Sequence, residues 1–226
     1  MLESVVNSSL KGAVMYIQLN GQILYYEVTK EGSPLILLHG NGEDHHIFDA
    51  LIAKVEGYKI YAIDTRGHGL SAVPAAYHYQ DMADDLCEFC DALDIEEPTV
   101  LGFSDGAIIA MLAACRGSLR PGALILCGGN LTPDGFKGDA HRKIKKRFKK
   151  TKDPLDQLML TEPDLSSAEL SAISCPVKIF AGQKDMIREK ETNAIASAIA
   201  NSELHILPNE THESYVAGSD FLASYL

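Results

Sequence analysis

The sequence predicts an α/β fold in which a mostly parallel sheet of about eight strands carries helices on both faces. Two patterns support this. Short apolar runs typical of buried strands alternate along the chain with segments of helical periodicity. A hairpin pattern precedes them. The length of 226 residues, with 46% hydrophobic residues, is enough for one domain with a buried core.

The first two strands are predicted to be antiparallel. Residues 13–19 and 22–28 alternate between apolar and polar side chains, and Asn20-Gly21 between them is a strong hairpin signal. The later strands are expected at residues 34–39, 59–63, 98–101, 123–127, 177–181 and 204–207. Helices are expected at about residues 46–55, 79–93, 107–115 and 189–200, with a short last helix over 218–226.

The alternation breaks after Gly128, where a long segment has no strand pattern. We expect residues 131–171 to form a small helical cap, inserted into a core made of residues 1–130 and 172–226. Eight of the 20 Lys and Arg residues lie within 142–152. This basic run fits a solvated helix face with Ile144 and Phe148, four residues apart, as its apolar stripe. Recognition of an anionic substrate group and contact with a membrane surface are alternative interpretations.

The segment Gly102-Phe-Ser-Asp-Gly106 joins a predicted strand to a predicted helix. Gly-x-Ser-x-Gly in this context is typical of a nucleophile elbow, in which Ser104 sits in a strained turn with its hydroxyl exposed. Gly102 and Gly106 lack a β-carbon, so strand and helix can close around the serine. The unpaired N–H groups of the helix N-terminus can hold a negative oxygen. The alternative is a plain strand-to-helix turn.

Four further segments accompany the elbow in a recognisable order. They are His39-Gly40, Asp64-Thr-Arg-Gly-His-Gly-Leu-Ser71, Gly182-Gln-Lys-Asp185 and His212. With these segments the chain resembles the α/β-hydrolase superfamily over nearly its whole length, and within it a group of small bacterial hydrolases of undefined substrate. The resemblance implies the α/β-hydrolase fold and a catalytic order Ser, Asp, His along the chain.

The catalytic assignments combine this resemblance with the chemistry of each residue. The Ser104 hydroxyl needs a base, and His212 follows a strand in a polar loop from which its ring can point into a pocket. Asp185 ends a buried strand and would orient His212. Asp64 and Asp105 are the alternative candidates for the carboxylate that orients His212. The resemblance implies that Asp64 instead helps to lock its loop through Arg66.

The same resemblance suggests how substrate is held. It assigns an oxyanion hole to the backbone N–H groups of Asn41 and Asp105. Gly40 and Gly42 would let the backbone approach the substrate closely. Phe148 is a candidate for substrate contact from the cap. The resemblance also implies that His39 and His68 have structural roles.

These residues predict a serine hydrolase that cleaves a small carboxylic ester or thioester, as carboxylesterases do, through an acyl-enzyme on Ser104. Carbon–carbon bond hydrolysis and perhydrolysis use the same residues and remain alternatives. A non-catalytic binding protein on the same fold is a candidate from another class. Dehalogenases and epoxide hydrolases are disfavoured, because the elbow residue would then be Asp.

Composition and local patterns exclude other classes. The net charge of −11 argues against nucleic acid as a partner. Glu43-Asp-His-His46 could be mistaken for a metal cluster, but adjacent helix residues point about 100° apart, so His45 and His46 cannot easily share one ion. We expect no metal site and no cofactor, and place this segment at the rim of the substrate site. The N-terminus lacks the pattern of a secretory signal, and the longest apolar run is too short to span a bilayer. We therefore expect a cytoplasmic protein without stable membrane insertion; a homodimer is left open.

Overall fold

The computed structural model of the chain describes residues 13–19 and 21–226. Its eight-stranded sheet has the order β1-β2-β4-β3-β5-β6-β7-β8. β1 pairs with β2, and β2 with β4, in antiparallel fashion, while the pairs from β4 through β8 are parallel. The predicted fold class and the antiparallel N-terminal hairpin are thus confirmed; Asn20 of the hairpin signal lies outside the described residues.

The predicted strands agree with the observed ones to within a few residues. They are β1 (Ala13–Leu19), β2 (Gln22–Thr29), β3 (Ser33–Leu38), β4 (Tyr58–Ile63), β5 (Thr99–Phe103), β6 (Ala123–Cys127), β7 (Val177–Gly182) and β8 (Ser202–Leu207).

The α-helices within the described residues lie between these strands. They are α1 (Asp49–Lys54), α2 (Tyr79–Ala92), α3 (Asp105–Cys115), α4 (Gly138–Thr151), α5 (Pro154–Thr161), α6 (Ser167–Leu170) and α7 (Glu189–Ala198). Short 3-10 helices cover His45–Phe48, Pro133–Gly135 and Phe221–Tyr225. The predicted last helix over residues 218–226 is therefore a 3-10 turn of five residues. It packs on the sheet through Leu222, which is buried.

The strand side chains alternate between two apolar layers, one on each face of the sheet. In β3, Ile36 and Leu38 join the layer that packs against α2, α3 and α7. Leu35 and Leu37 join the opposite layer, which packs against α1 and the chain end. All four side chains are at most 2% exposed. Burial on both faces explains why the sequence shows continuous apolar runs at these strands.

The insertion at residues 131–171 contains α4, α5 and α6 and lies between β6 and β7. Ile144 of α4 packs beneath the helix against Phe136, Met159 and Ile187. Leu158, at the other side of α5, belongs to the main apolar layer of the body. The insertion therefore contributes side chains to the main hydrophobic core. Its description as a separate cap domain remains a prediction. No helix among the described residues is long and apolar enough to cross a membrane.

The loop that follows β4 is held by the buried carboxylate of Asp64. Asp64 is fully buried, and one of its oxygens accepts from the His45 ring at 2.7 Å and from the His45 backbone N–H at 2.9 Å. The other oxygen accepts from the backbone N–H of Leu70 at 2.8 Å. Burial by itself would raise the pKa of Asp64, but these hydrogen bonds outweigh it and lower the pKa.

Two expectations for this region are wrong. Asp64 does not lock the loop through Arg66, because the Arg66 guanidinium binds Asp85 at 2.7 Å and Asp81 at 3.1 Å, on α2. His45 does not line the rim of a substrate site either. It is 4% exposed because its ring is turned inward toward Asp64, whereas the neighbouring His46 is exposed and lies beside Asp49.

We predict that Asp64→Asn lowers the free energy of unfolding by about 3 kcal/mol at neutral pH, because the change removes a buried carboxylate that accepts three hydrogen bonds and leaves donors without an acceptor. Asp49→Asn, at an exposed carboxylate beside His46, is the matched control and leaves stability nearly unchanged. Urea unfolding measures both. Since folding lowers the pKa of Asp64, the wild-type advantage is present above the unfolded pKa of Asp and disappears as pH falls through the folded value. Equal stabilities of the two variants would contradict this account.

Candidate active site

Ser104 stands alone between β5 and α3 in a backbone conformation that side chains rarely adopt. Its φ is 53° and its ψ is −112°. Its N–H donates to the Cys127 carbonyl at 2.7 Å, and its own carbonyl accepts from the N–H groups of Ala107 and Ile108 in the first turn of α3. A non-glycine residue in such a region costs on the order of 1–3 kcal/mol and persists only where the surroundings enforce it. These backbone hydrogen bonds hold Ser104 in the strained turn.

Two glycines make this turn sterically feasible. A β-carbon on Gly102 would lie 2.2 Å from the Gly106 carbonyl oxygen. A β-carbon on Gly106 would lie 2.1 Å from the carbonyl oxygen of Leu38 in β3. Both distances are far inside van der Waals contact, so no side chain fits at either position. The glycines of the sequence motif are there because helix and strand cross in direct backbone contact.

Ser104, His212 and Asp185 form a hydrogen-bonded chain. His212 Nδ1 lies 2.7 Å from Asp185 Oδ1, and His212 Nε2 lies 3.0 Å from Ser104 Oγ. A carboxylate only accepts, so Nδ1 carries the ring proton and Nε2 is left to accept from the serine hydroxyl. The ring is 7% exposed and Asp185 is 4% exposed, whereas Ser104 is half-buried. Residues distant in sequence thus meet with the spacing of a nucleophile, its base and an orienting carboxylate.

Asp185 is fixed in the loop that follows β7. Its Oδ1 also accepts from the backbone N–H of Ile187 at 2.8 Å, and its own N–H donates to the Gly182 carbonyl at 3.0 Å. Its Oδ2 is buried and has no hydrogen-bond partner among the described protein atoms.

The loop carrying His212 reaches the site without a glycine of its own. Asn209 takes the left-handed turn after β8, with φ of 66°, and Asn is among the residues that tolerate this conformation best. The close approach of this loop instead requires a glycine at the end of β7. A β-carbon on Gly182 would be 2.2 Å from the Thr211 carbonyl oxygen, so the loop packs directly on the strand end.

Two residues that the sequence analysis did not identify seat the His212 ring. Gly128, directly after β6, has φ of 64°, and a β-carbon there would lie 2.7 Å from His212 Cε1 and 2.9 Å from Nδ1. Phe103 places its ring on another side, 5.0 Å from the imidazole centre. Both contacts depend on which strand ends are neighbours in the sheet. In the sequence, the Gly128-Gly129 pair after a predicted strand is the one feature that points to Gly128.

The two residues with the predicted oxyanion-hole N–H groups are joined side chain to side chain. Asn41 Nδ2 donates to Asp105 Oδ2 at 2.9 Å. The backbone also links their segments, because the N–H of Gly106 donates to the His39 carbonyl at 3.1 Å. Within the part of the chain that the structure describes, neither the Asn41 N–H nor the Asp105 N–H donates to a protein acceptor. Both are therefore available to an external oxygen.

Gly40 and Gly42 differ in their surroundings. A β-carbon on Gly40 would lie 3.1 Å from Ser104 Cβ and 2.7 Å from Glu43 Oε2, so this backbone passes directly beside the serine. Gly42 has open space around it, and its φ of 75° is what requires glycine there. Glu43, which belongs to the segment expected at the rim of the substrate site, accepts from the Gly40 N–H at 2.9 Å. Burial raises the pKa of Glu43.

His39 and His68 lie beneath the site. His39 is fully buried, and its Nε2 accepts from the backbone N–H of Thr65 at 3.1 Å. Burial, with His68 nearby, lowers the pKa of His39 to about 4. The two rings lie edge to face at 5.0 Å. His39 is therefore neutral at physiological pH and acts as an acceptor that fixes the loop after β4.

Phe148 lies on α4 but is not part of the apolar cluster around Ile144. It is half-buried, and the ammonium of Lys152 lies 5.4 Å from its ring centre. The structure records no contact between Phe148 and Ser104, His212 or Asp185. Most of the basic run faces solvent, and Arg147 is held by the buried carboxylate of Asp156 on α5. The arrangement favours the interpretation of this run as a solvated helix face.

Comparison with known families decides the affiliation of the chain. Residues 33–158, more than half of the chain, match the family model for the alpha/beta hydrolase fold.

The chain belongs to the α/β-hydrolase family.

Relatives of this α/β hydrolase cover most of its length. It is 24% identical to the human serine hydrolase BPHL over 237 aligned residues, which cover 90% of this chain and 81% of that protein. Among solved structures, an esterase from Exiguobacterium antarcticum aligns with a TM-score of 0.77 at 22% identity, covering 89% of this chain and 93% of that one. An enol-lactonase from Burkholderia xenovorans aligns with a TM-score of 0.76 at 18% identity, over 93% and 97%. These similarities support a hydrolase enzyme, and at these identities the structural alignments establish the fold.

The crowding around His212 generates a prediction about Gly128. A methyl group there must push the ring away from Asp185 and Ser104, so Gly128→Ala should slow covalent labelling by a fluorophosphonate at least about 100-fold, as expected when reacting groups are displaced by about 1 Å. Gly129→Ala is the control, since its methyl group meets Ala107 and Met111 in the core and not His212. Equal labelling rates in the two variants, both folded by circular dichroism, would contradict the role of Gly128.

Proposed function

We propose that the protein is a serine hydrolase that cleaves a small carboxylic ester or thioester through an acyl-enzyme on Ser104. The observation that carries the proposal is the hydrogen-bonded chain Ser104–His212–Asp185, with the serine hydroxyl 3.0 Å from Nε2, the ring nitrogen opposite the one that Asp185 holds. A plain strand-to-helix turn gives no reason for a strained serine, a buried histidine and a buried carboxylate to converge.

The geometry supports the following sequence of steps. Ser104 Oγ attacks the substrate carbonyl carbon while its proton passes to His212 Nε2. Asp185 keeps the Nδ1 proton and stabilises the imidazolium, without taking the proton itself. The imidazolium then protonates the leaving alcohol or thiol as its bond to the acyl carbon breaks. In the second half, Nε2 accepts a proton from water as the water oxygen attacks the acyl carbon. His212 then returns this proton to Ser104 Oγ as the acyl–oxygen bond breaks, which releases the acid and regenerates the serine hydroxyl and the neutral ring.

The tetrahedral oxyanion of each half would be held by the backbone N–H groups of Asn41 and Asp105. The Asp105 N–H belongs to the first turn of α3, where the helix dipole also favours negative charge. Both N–H groups have no protein acceptor among the described residues, as donors awaiting an oxyanion require. Each such donor accounts for about 10²–10³ in rate in related chemistry.

The substrate class follows from the site and its neighbours. Half-buried Ser104 and the adjacent insertion suit a small molecule, and we retain Gly40, Gly42 and Phe148 as proposed substrate contacts. Carbon–carbon bond hydrolysis and perhydrolysis by the same three residues remain the alternatives, and a meta-cleavage product hydrolase is among the structural neighbours at 20% identity. A cytoplasmic location remains a prediction.

A screen separates these activities and the binding-protein alternative. The purified chain is assayed against p-nitrophenyl esters of increasing acyl length, matched thioesters and a vinylogous 1,5-diketone, with fluorophosphonate labelling in parallel. Ester or thioester turnover with labelled Ser104 supports the proposal. Cleavage of the diketone with poor ester turnover would favour the carbon–carbon alternative, and absence of both turnover and labelling would favour a binding protein.

We predict that Ser104→Ala and His212→Ala each lower kcat by several orders of magnitude on the best ester of that screen. The double variant should be no slower than about the slower single variant, because nucleophile and base act as one unit. Steady-state kinetics on rigorously purified protein measure this. Near-normal turnover by Ser104→Ala would refute the mechanism, and multiplicative losses in the double variant would show that the two residues act independently.

A further inference from the structure

A circuit of side chains joins the residue after Ser104 to both ends of α5. Asn41 Nδ2 donates to Asp105 Oδ2 at 2.9 Å and to the Leu155 carbonyl, in the first turn of α5, at 3.4 Å. The Tyr79 hydroxyl donates to Asp105 Oδ1 at 2.7 Å. The backbone N–H of Tyr79 donates to Glu162, directly after α5, at 3.0 Å. These hydrogen bonds therefore connect Asp105, through Asn41 and Tyr79, to the first turn of α5 and to the residue that follows its last turn.

Asp105 is an unusual residue to find at the centre of this circuit. It is 5% exposed, and both of its oxygens accept from neutral donors, with no cation among the partners. A buried carboxylate without a cation is costly even when it is hydrogen-bonded. Tyr79 is itself 1% exposed and lies on α2, so its hydroxyl has little freedom to leave the carboxylate.

The backbone N–H groups of Asn41 and Asp105 are the proposed oxyanion donors. If Asn41 and Asp105 provide the two oxyanion donors, the bond between their side chains sets the distance between their N–H groups. The Tyr79 hydroxyl holds the Asp105 carboxylate in the orientation that Asn41 needs. Because Asn41 also donates to the Leu155 carbonyl, the position of α5 bears on the loop that carries one of the donors.

We propose that Tyr79 and the side chains of Asp105 and Asn41 are positioning residues, which hold the oxyanion donors in register and couple them to α5 of the insertion. This inference rests on the proposed function. A hydrogen bond that acts on the oxyanion acts in the transition state and not on the bound ester. Loss of the circuit therefore lowers kcat and leaves KM nearly unchanged.

The test compares two buried phenols. Tyr79→Phe removes the donor to Asp105 and keeps the ring. Tyr215→Phe is the matched control, because Tyr215 is 2% exposed and its hydroxyl donates at 3.1 Å to the Phe180 carbonyl, outside the circuit. We expect Tyr79→Phe to lower kcat about tenfold, less than complete loss of an oxyanion donor, with KM within about twofold. Tyr215→Phe should keep kcat within about twofold. Its thermal midpoint should fall by about as much as that of Tyr79→Phe, because each variant loses one buried hydrogen bond.

The coupling to the insertion has its own pair of variants. Glu162→Ala removes the acceptor of the Tyr79 N–H at the start of α2. Glu169→Ala removes a comparable carboxylate, which caps α6 within the same insertion and binds Arg116 instead of a member of the circuit. We expect Glu162→Ala to lower kcat with little change in KM, and Glu169→Ala to leave both constants unchanged.

The outcomes distinguish this inference from the proposed function. Equal kcat losses in Tyr79→Phe and Tyr215→Phe, or an unchanged kcat in Tyr79→Phe, would overturn the positioning role while the wild-type activity stands. An inactive wild type with unlabelled Ser104 would instead overturn the proposed function and this inference with it. If Tyr79→Phe does not fold, Asn41→Ala decides, since it keeps the backbone N–H, removes the other donor to Asp105, and should show the same loss of kcat at constant KM.

Discussion

Direct backbone contact between β5, α3 and β3 controls the geometry of the whole site. Gly102 lies against the Gly106 carbonyl, and Gly106 lies against the carbonyl of Leu38, at distances that exclude a β-carbon. The chain between them must turn sharply, and this leaves Ser104 at φ of 53°. The serine N–H then bonds the end of β6, and the Gly106 N–H bonds His39 after β3. One close helix–strand crossing thereby aligns the elbow with the loops on either side of it.

Three buried carboxylates around the site show how partners distinguish groups that look alike in sequence. Asp64, Asp105 and Asp185 are each at most 5% exposed, and each lies at or near the end of a strand. Asp64 binds His45 and braces a loop. Asp105 has both oxygens occupied by Asn41 and Tyr79. Of the three, Asp185 is the one bonded to the His212 ring, with its second oxygen free of protein donors among the described residues.

This comparison explains how much could be predicted from the sequence. The strand and helix positions follow from local apolar periodicity, and the order of the motifs predicts Ser104, Asp185 and His212 as the catalytic residues. The partners of Asp64 and Arg66 were predicted wrongly, because they depend on which loops the sheet order brings together. Tyr79 and Gly128 were missed for the same reason. Each acts through a contact with a residue of another segment.

The central claim is that Ser104 forms a covalent acyl intermediate, and rapid-quench mass spectrometry during the first turnover tests it most directly. Enzyme is mixed with excess of a p-nitrophenyl ester, quenched in acid at millisecond intervals, and analysed as intact protein and as peptides. The account predicts a mass increase equal to the acyl group, located on the peptide containing Ser104 and formed in step with the release of the first equivalent of p-nitrophenol. Turnover with an acyl group on another residue, or first-turnover product release without any acyl-protein under conditions where deacylation is slowed, would contradict it.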